Sequence, residues 1–80
     1  MRQIDEQERK RIGELITTIR KEKGLTQLEL AEQSGLGRSH IVHIEKGDYN
    51  VRLDTLSIIA KTLECEITLK KKPKRRRKNL

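Results

Sequence analysis

The chain contains no phenylalanine and no tryptophan, and Tyr49 is its one aromatic residue. Any core it builds must therefore be aliphatic. It has a single cysteine, Cys65, so an internal disulfide is excluded. That points to a reducing, intracellular setting. No apolar run approaches the roughly 18 residues needed to cross a bilayer, so no membrane partner is expected. The opening stretch MRQIDEQERKR is charged throughout and does not read as a secretory signal. Proline occurs once, at Pro73, which leaves the rest of the chain free of helix breakers.

What is present is aliphatic and charged. Ten Leu, nine Ile and two Val make 21 of 80 residues. That exceeds the roughly 20% below which disorder becomes the default. Eighty residues make one small domain. A domain this small buries little core, so further burial in a dimer would help it. The net charge of +7 is unevenly placed. Residues 70–78, KKKPKRRRK, carry eight basic groups; residues 1–69 hold eleven basic and twelve acidic groups, a net of −1.

Four helices are expected. Asp5 and Glu8 have the spacing of a capping box, and Ile12, Leu15, Ile16 and Ile19 follow on one helical face. Gly24, after Lys21 and Lys23, is a natural stop. Thr26 and Glu29 form a second capping box, with Leu25 and Leu30 placed for a hydrophobic staple. That helix ends near Ser34-Gly35. A third spans Arg38 to Lys46 and stops at Gly47, with Ile41 and Ile44 inward and Ser39, Val42, His43 and Lys46 outward. Asp48-Tyr49-Asn50 reads as a polar turn. A fourth carries Leu53, Leu56, Ile59, Ala60 and Leu63 on its inner face, with Ile58 pointing away.

The period then changes to two. Cys65, Ile67 and Leu69 alternate with Glu66, Thr68 and Lys70, as in a short strand. A lone strand in a helical chain has open edges. Pairing with the same strand of a second subunit across a two-fold axis would close one of them; packing on its own helices is the alternative. Pro73 ends the segment, and the charged residues beyond it are expected to be disordered. The domain plan is thus 1–64 for the helical domain, 65–72 for a dimerisation strand and 73–80 for a basic tail.

The second and third helices fit a helix-turn-helix pattern over 27–46. Gln27 stands first, Ala31 fifth, Gly35 ninth, Ile41 fifteenth and Ile44 eighteenth. Ala31 must be small where the helices cross, and Gly35 allows the turn a positive φ. The longer stretch IGELITTIRKEKGLTQLELAEQSGLGRSHIVHIEKG…LDTLSIIAKTL resembles the Cro and phage-repressor DNA-binding family, often called XRE. The resemblance covers about residues 12–63. It implies an all-α, lambda-repressor-like bundle of four to five helices, here with a C-terminal strand that pairs across a dimer. It also implies an ion pair between Arg20 and Glu45, locking the helix-turn-helix onto the first helix. The sequence departs from the family at Gly37, Val51, Arg52 and Glu64, where a cap, a proline, a second cap and a glycine are usual. The terminal LECEITLKKK is similar to the end of HipB-like antitoxins.

The resemblance further implies a site and partners. Arg38, Ser39, Val42 and His43 fall on the base-reading positions, and Gln27, Lys46, Gly47, Asn50 and Arg52 on positions that meet phosphates. Cys65, Ile67 and Leu69 would carry dimerisation. The partner is double-stranded DNA and the unit a homodimer, in the cytoplasm of a bacterium or of a phage's host. The function implied is a repressor of a palindromic operator. The alternatives are an antitoxin that also binds a toxin protein, and a non-specific architectural protein using the tail. That tail could add salt-dependent DNA affinity, serve as a nuclear import signal or act as a handle for another protein. His40 and His43 lie three apart on the third helix, but no third ligand adjoins them, so neither a metal nor a cofactor is expected. Nor is a nucleophile, base and orienting group in evidence, which argues against an enzyme.

Overall fold

The structure is a computed structural model and describes residues 6–73. Four helices follow one another: α1 (Glu6–Glu22), α2 (Gln27–Ser34), α3 (Arg38–Lys46) and α4 (Leu53–Thr62). Helix α3 packs against both α1 and α2, and α2 packs against α4. Asp5, the expected cap of the first helix, lies outside the described residues. Glu8 receives a two-pronged bond from Arg11, at 2.9 and 2.7 Å.

The start of α2 is as the spacing demands. The Thr26 hydroxyl accepts from the Glu29 amide at 3.0 Å, and the Glu29 carboxylate accepts from the Thr26 amide at 2.8 Å. This reciprocal box satisfies two amide donors that a helix start leaves without partners. At the other end Gly35 takes φ 76° and returns its amide to the Ala31 carbonyl. Any residue with a Cβ would be strained in that left-handed conformation, so glycine is what keeps the turn tight.

The core is aliphatic throughout. Ile16, Leu30, Ala31, Ile41, Ile44, Ile59 and Leu63 are buried, and Ile12, Ile19, Leu25, Leu36, Val51 and Leu56 pack around them. Two expected core residues are not there. Leu15 is 51% exposed and Leu53 is 67% exposed. The buried residues of α1 are Gly13, Ile16 and Arg20, a stripe from whose centre Leu15 is turned by about 100°. Leu53, the first residue of α4, is turned by about 120° from buried Ile59. Ile58 is 41% exposed and points outward as expected.

Gly13 was not foreseen as a packing residue. A Cβ built on it would stand 2.5 Å from the Glu45 carbonyl and 2.6 Å from that of Ile44. Helices α1 and α3 therefore cross backbone against backbone. Arg9 adds a second tie, its Nε donating to the Gly47 carbonyl at 3.1 Å.

The strand expected over 65–72 does not form in the single chain. Residues 65–73 carry neither helix nor strand. A strand exists through the ladder it shares with a neighbour, and one chain offers this segment none. Cys65 and Ile67 border a groove whose other wall is Ser57, Ile58, Ala60 and Lys61 of α4. Leu69 is 98% exposed. The rest of the basic tail, 74–80, lies outside the described residues.

Candidate nucleic-acid interface

Helix α3 has two faces with different tasks. Ile41, Ile44 and Glu45 are buried. Arg38, Ser39 and His43 are exposed and Val42 is half-buried. A helix fastened along one side presents the other as a continuous surface.

The fastening is electrostatic as well as apolar. Arg20 Nε donates to Glu45 Oε2 at 2.7 Å and Arg20 Nη2 to Oε1 at 3.0 Å, with both residues buried. Arg20 Nη1 donates to the Leu25 carbonyl at 2.8 Å. Gln27 Nε2 donates to Glu45 Oε1 at 3.0 Å. A planar guanidinium meeting a carboxylate with two parallel bonds is the strong form of an ion pair. Burial alone pushes the Glu45 carboxyl up. Hydrogen bonds from Arg20, Gln27 and Thr17 outweigh it and hold the group below its ordinary value. Among the described residues no buried side-chain polar atom lacks a partner.

Two of the residues expected at phosphates have partners within the chain. The Gln27 side chain is engaged with Glu45, so it links the start of α2 to α3. Gly47 is buried, and its amide is taken up by the carbonyls of His43 and Ile44 as it closes α3 with φ 74°. A capping amide already bonded within its own helix is not a free donor. Lys46, Asn50 and Arg52 are exposed beside the same end of α3. Gly37 opens α3 and Arg52 opens α4, neither with a side-chain cap.

The polar turn after α3 holds more than the sequence suggested. His43 Nδ1 lies 2.9 Å from Asp48 Oδ2. The Tyr49 ring packs tilted against His43, with centroids 5.5 Å apart, and edge-on against His40 at 5.8 Å. Both histidines thus share one aromatic neighbour. The only signal for this was the single tyrosine two residues after the helix stop at Gly47. No three His, Cys, Asp or Glu side chains come together as a metal site among the described residues.

Two short helices joined by a left-handed glycine, the second pinned inward and bare outward, define a helix-turn-helix regulator. The chain matches the helix-turn-helix family (HTH_3) over residues 16–70, and it belongs to that family. The family is one of transcriptional regulators rather than enzymes. The chain is 42% identical over 57 residues to the immunity repressor protein of Bacillus phage phi105, covering 71% of this chain and 40% of the repressor. It therefore spans about two fifths of that relative's length. Its fold is similar to the restriction-modification controller protein C.AhdI from Aeromonas hydrophila. There the TM-score is 0.72 at 36% identity, over 74% of this chain and 89% of the controller. It is also similar to the controller protein C.Esp1396I, whose tetramer is solved in complex with its natural 35 base-pair operator. In that case the TM-score is 0.69 at 38% identity, over 72% and 76% of the two chains. No described helix is long and apolar enough to cross a membrane.

Proposed function

We propose that the protein is a homodimeric, sequence-specific repressor that reads a palindromic operator with α3. The observation that carries this reading is the division of α3: Ile41, Ile44 and Glu45 held inward, and Arg38, Ser39 and His43 left outward. The likeness to a controller protein solved on its operator supports it. In this reading Arg38 sits at the first turn of α3, which enters the major groove end-on. Its guanidinium grips the O6 and N7 of one guanine. Ser39 and Val42 read beside it, Val42 against a thymine methyl. Lys46, Asn50 and Arg52 meet phosphates and set the register. Such a regulator works in the compartment that holds the DNA, the cytoplasm.

Residues 1–69 have a net charge of −1, so phosphate binding must come from local placement rather than overall charge. The tail then adds sequence-blind affinity. Exposed Ile67, Leu69 and Cys65 carry dimerisation. The antitoxin alternative rests on the short C-terminal likeness alone, whereas the relatives described above are a repressor and two controller proteins.

Selection of bound sequences from a random DNA pool tests the reading. A palindrome with half-sites about 34 Å apart is expected. Arg38→Ala should relax preference at one base pair per half-site, by about 1–3 kcal/mol. An unchanged preference would show that α3 does not dock in this way.

A further inference from the structure

We infer that Asp48 is a specificity-determining positioning residue: it holds His43 so that an acceptor nitrogen faces the DNA. The inference rests on α3 being the reading helix and names what sets the chemistry of one of its side chains.

His43 Nδ1 and Asp48 Oδ2 are 2.9 Å apart. An ionised carboxylate has no proton to donate, so the shared proton belongs to Nδ1. In the neutral ring that leaves Nε2 as an acceptor and nothing else. The backbone repeats the tie, since the Asp48 amide donates to the His43 carbonyl at 3.1 Å. The turn at Gly47 makes both bonds reachable by bringing the chain back over the end of α3. Tyr49 blocks the remaining rotation, packed 5.5 Å from the His43 ring and braced edge-on by His40 at 5.8 Å. Bond and ring together fix the tautomer and the plane.

The pair is half-exposed, at 46% and 44% for the two side chains. Exposed pairs contribute little to stability. Its consequence is orientation. An acceptor at Nε2 suits a base edge that offers a donor in the major groove, which means the exocyclic amine of adenine or of cytosine. It meets the acceptors of guanine and the O4 of thymine unfavourably. A negative charge at this end of α3 also lowers attraction to phosphates, so Asp48 trades general affinity for selection.

The test is selection and competition binding at about pH 8, where a free imidazole is neutral, with the full chain and five variants, Arg38→Ala among them. His43→Ala should remove preference at one base pair per half-site, about tenfold in discrimination. Asp48→Ala should relax the same base pair, and the double variant should add nothing to His43→Ala. Asp48→Asn keeps an acceptor oxygen for Nδ1–H and should retain the preference while steepening the salt dependence slightly, because a charge that repels phosphates is gone. Replacing the preferred adenine by purine, or cytosine by 2-pyrimidinone, should weaken wild type and leave His43→Ala unaffected. If His43→Ala erases the preference and Asp48→Ala does not, the positioning role is wrong. If Asp48→Asn and Asp48→Ala behave alike, Asp48 acts by charge, which also overturns it. If neither His43→Ala nor Arg38→Ala alters any preference, α3 is not the reader, and the inference falls with that reading. Circular dichroism melts of each variant show that the fold is kept.

Discussion

The crossing of α1 and α3 and the end of the chain are opposites. At the crossing a glycine lets two backbones touch, and a buried carboxylate meets a buried guanidinium with two bonds. At the other end Ile58, Ile67 and Leu69 face solvent, and residues 65–73 form no ladder. The first region is finished within one chain. The second has apolar side chains and backbone groups whose natural complement is another surface. Reading DNA asks for both: a helix that does not shift when a base is touched, and a second copy at a fixed distance.

The largest effect is expected where the finished region is broken. Glu45→Ala leaves the Arg20 guanidinium buried without its counter-charge, a loss of about 3–5 kcal/mol, read from urea or thermal unfolding. Replacing both residues by aliphatic ones of similar size should cost less than either single change, because no charge is then stranded. The pH dependence has a defined sign. The folded Glu45 pKa lies below its ordinary 4.5, so its stabilisation is fully present above that value. It is lost as pH falls through the folded value. Unfolding curves from neutral to acid pH should steepen there in wild type and flatten in Glu45→Ala.

The unfinished region should respond in assembly rather than in folding. Ile67→Lys with Leu69→Lys should shift a dimer to monomer in sedimentation while the helical signal stays. Sequence-selective binding should fall with it, since a half-site alone holds weakly. A dimer that persists with unchanged midpoint would move the interface elsewhere, with exposed Ile58 and Leu53 of α4 the next surfaces to test.

How much of this was legible follows from the range of each signal. Caps and stops are local, so Thr26, Glu29, Gly35 and Gly47 could be read from spacing. The inward residues of α3 follow from its period, and Arg20 with Glu45 followed from the family resemblance. Leu15 and Leu53 fit the apolar period yet stand exposed, because that period also admits residues at the edge of a helical face. The buried stripe of α1 instead includes a glycine and an arginine. Gly13 had one sign, a glycine inside a strongly helical run. The Gln27–Glu45 bond, and the bond from His43 to Asp48, depend on side-chain directions in three dimensions. No spacing rule announces them. The strand proposed over 65–72 depends on a second chain, and the period of two is its one sign in the sequence.

The smallest effect concerns a departure from the family pattern that the structure explains. Glu64 follows α4 with φ 61°, the only non-glycine positive φ among the described residues. A side chain there is strained by roughly 1–2 kcal/mol. Its carboxylate accepts from Lys23 Nζ at 2.8 Å, a bond joining the end of α4 to the end of α1. That pair is exposed, and such pairs contribute little. Glu64→Gly relieves the strain and loses the pair, while glycine also loses more freedom on folding. The terms nearly cancel, so a change within about 1 kcal/mol is expected, on the stabilising side. Glu64→Ala separates them: it keeps the strain, loses the pair and should melt lower than either. If Glu64→Ala matches wild type, the bond to Lys23 contributes nothing. The left-handed turn alone then sets how the chain leaves α4 toward the segment that a second copy would meet.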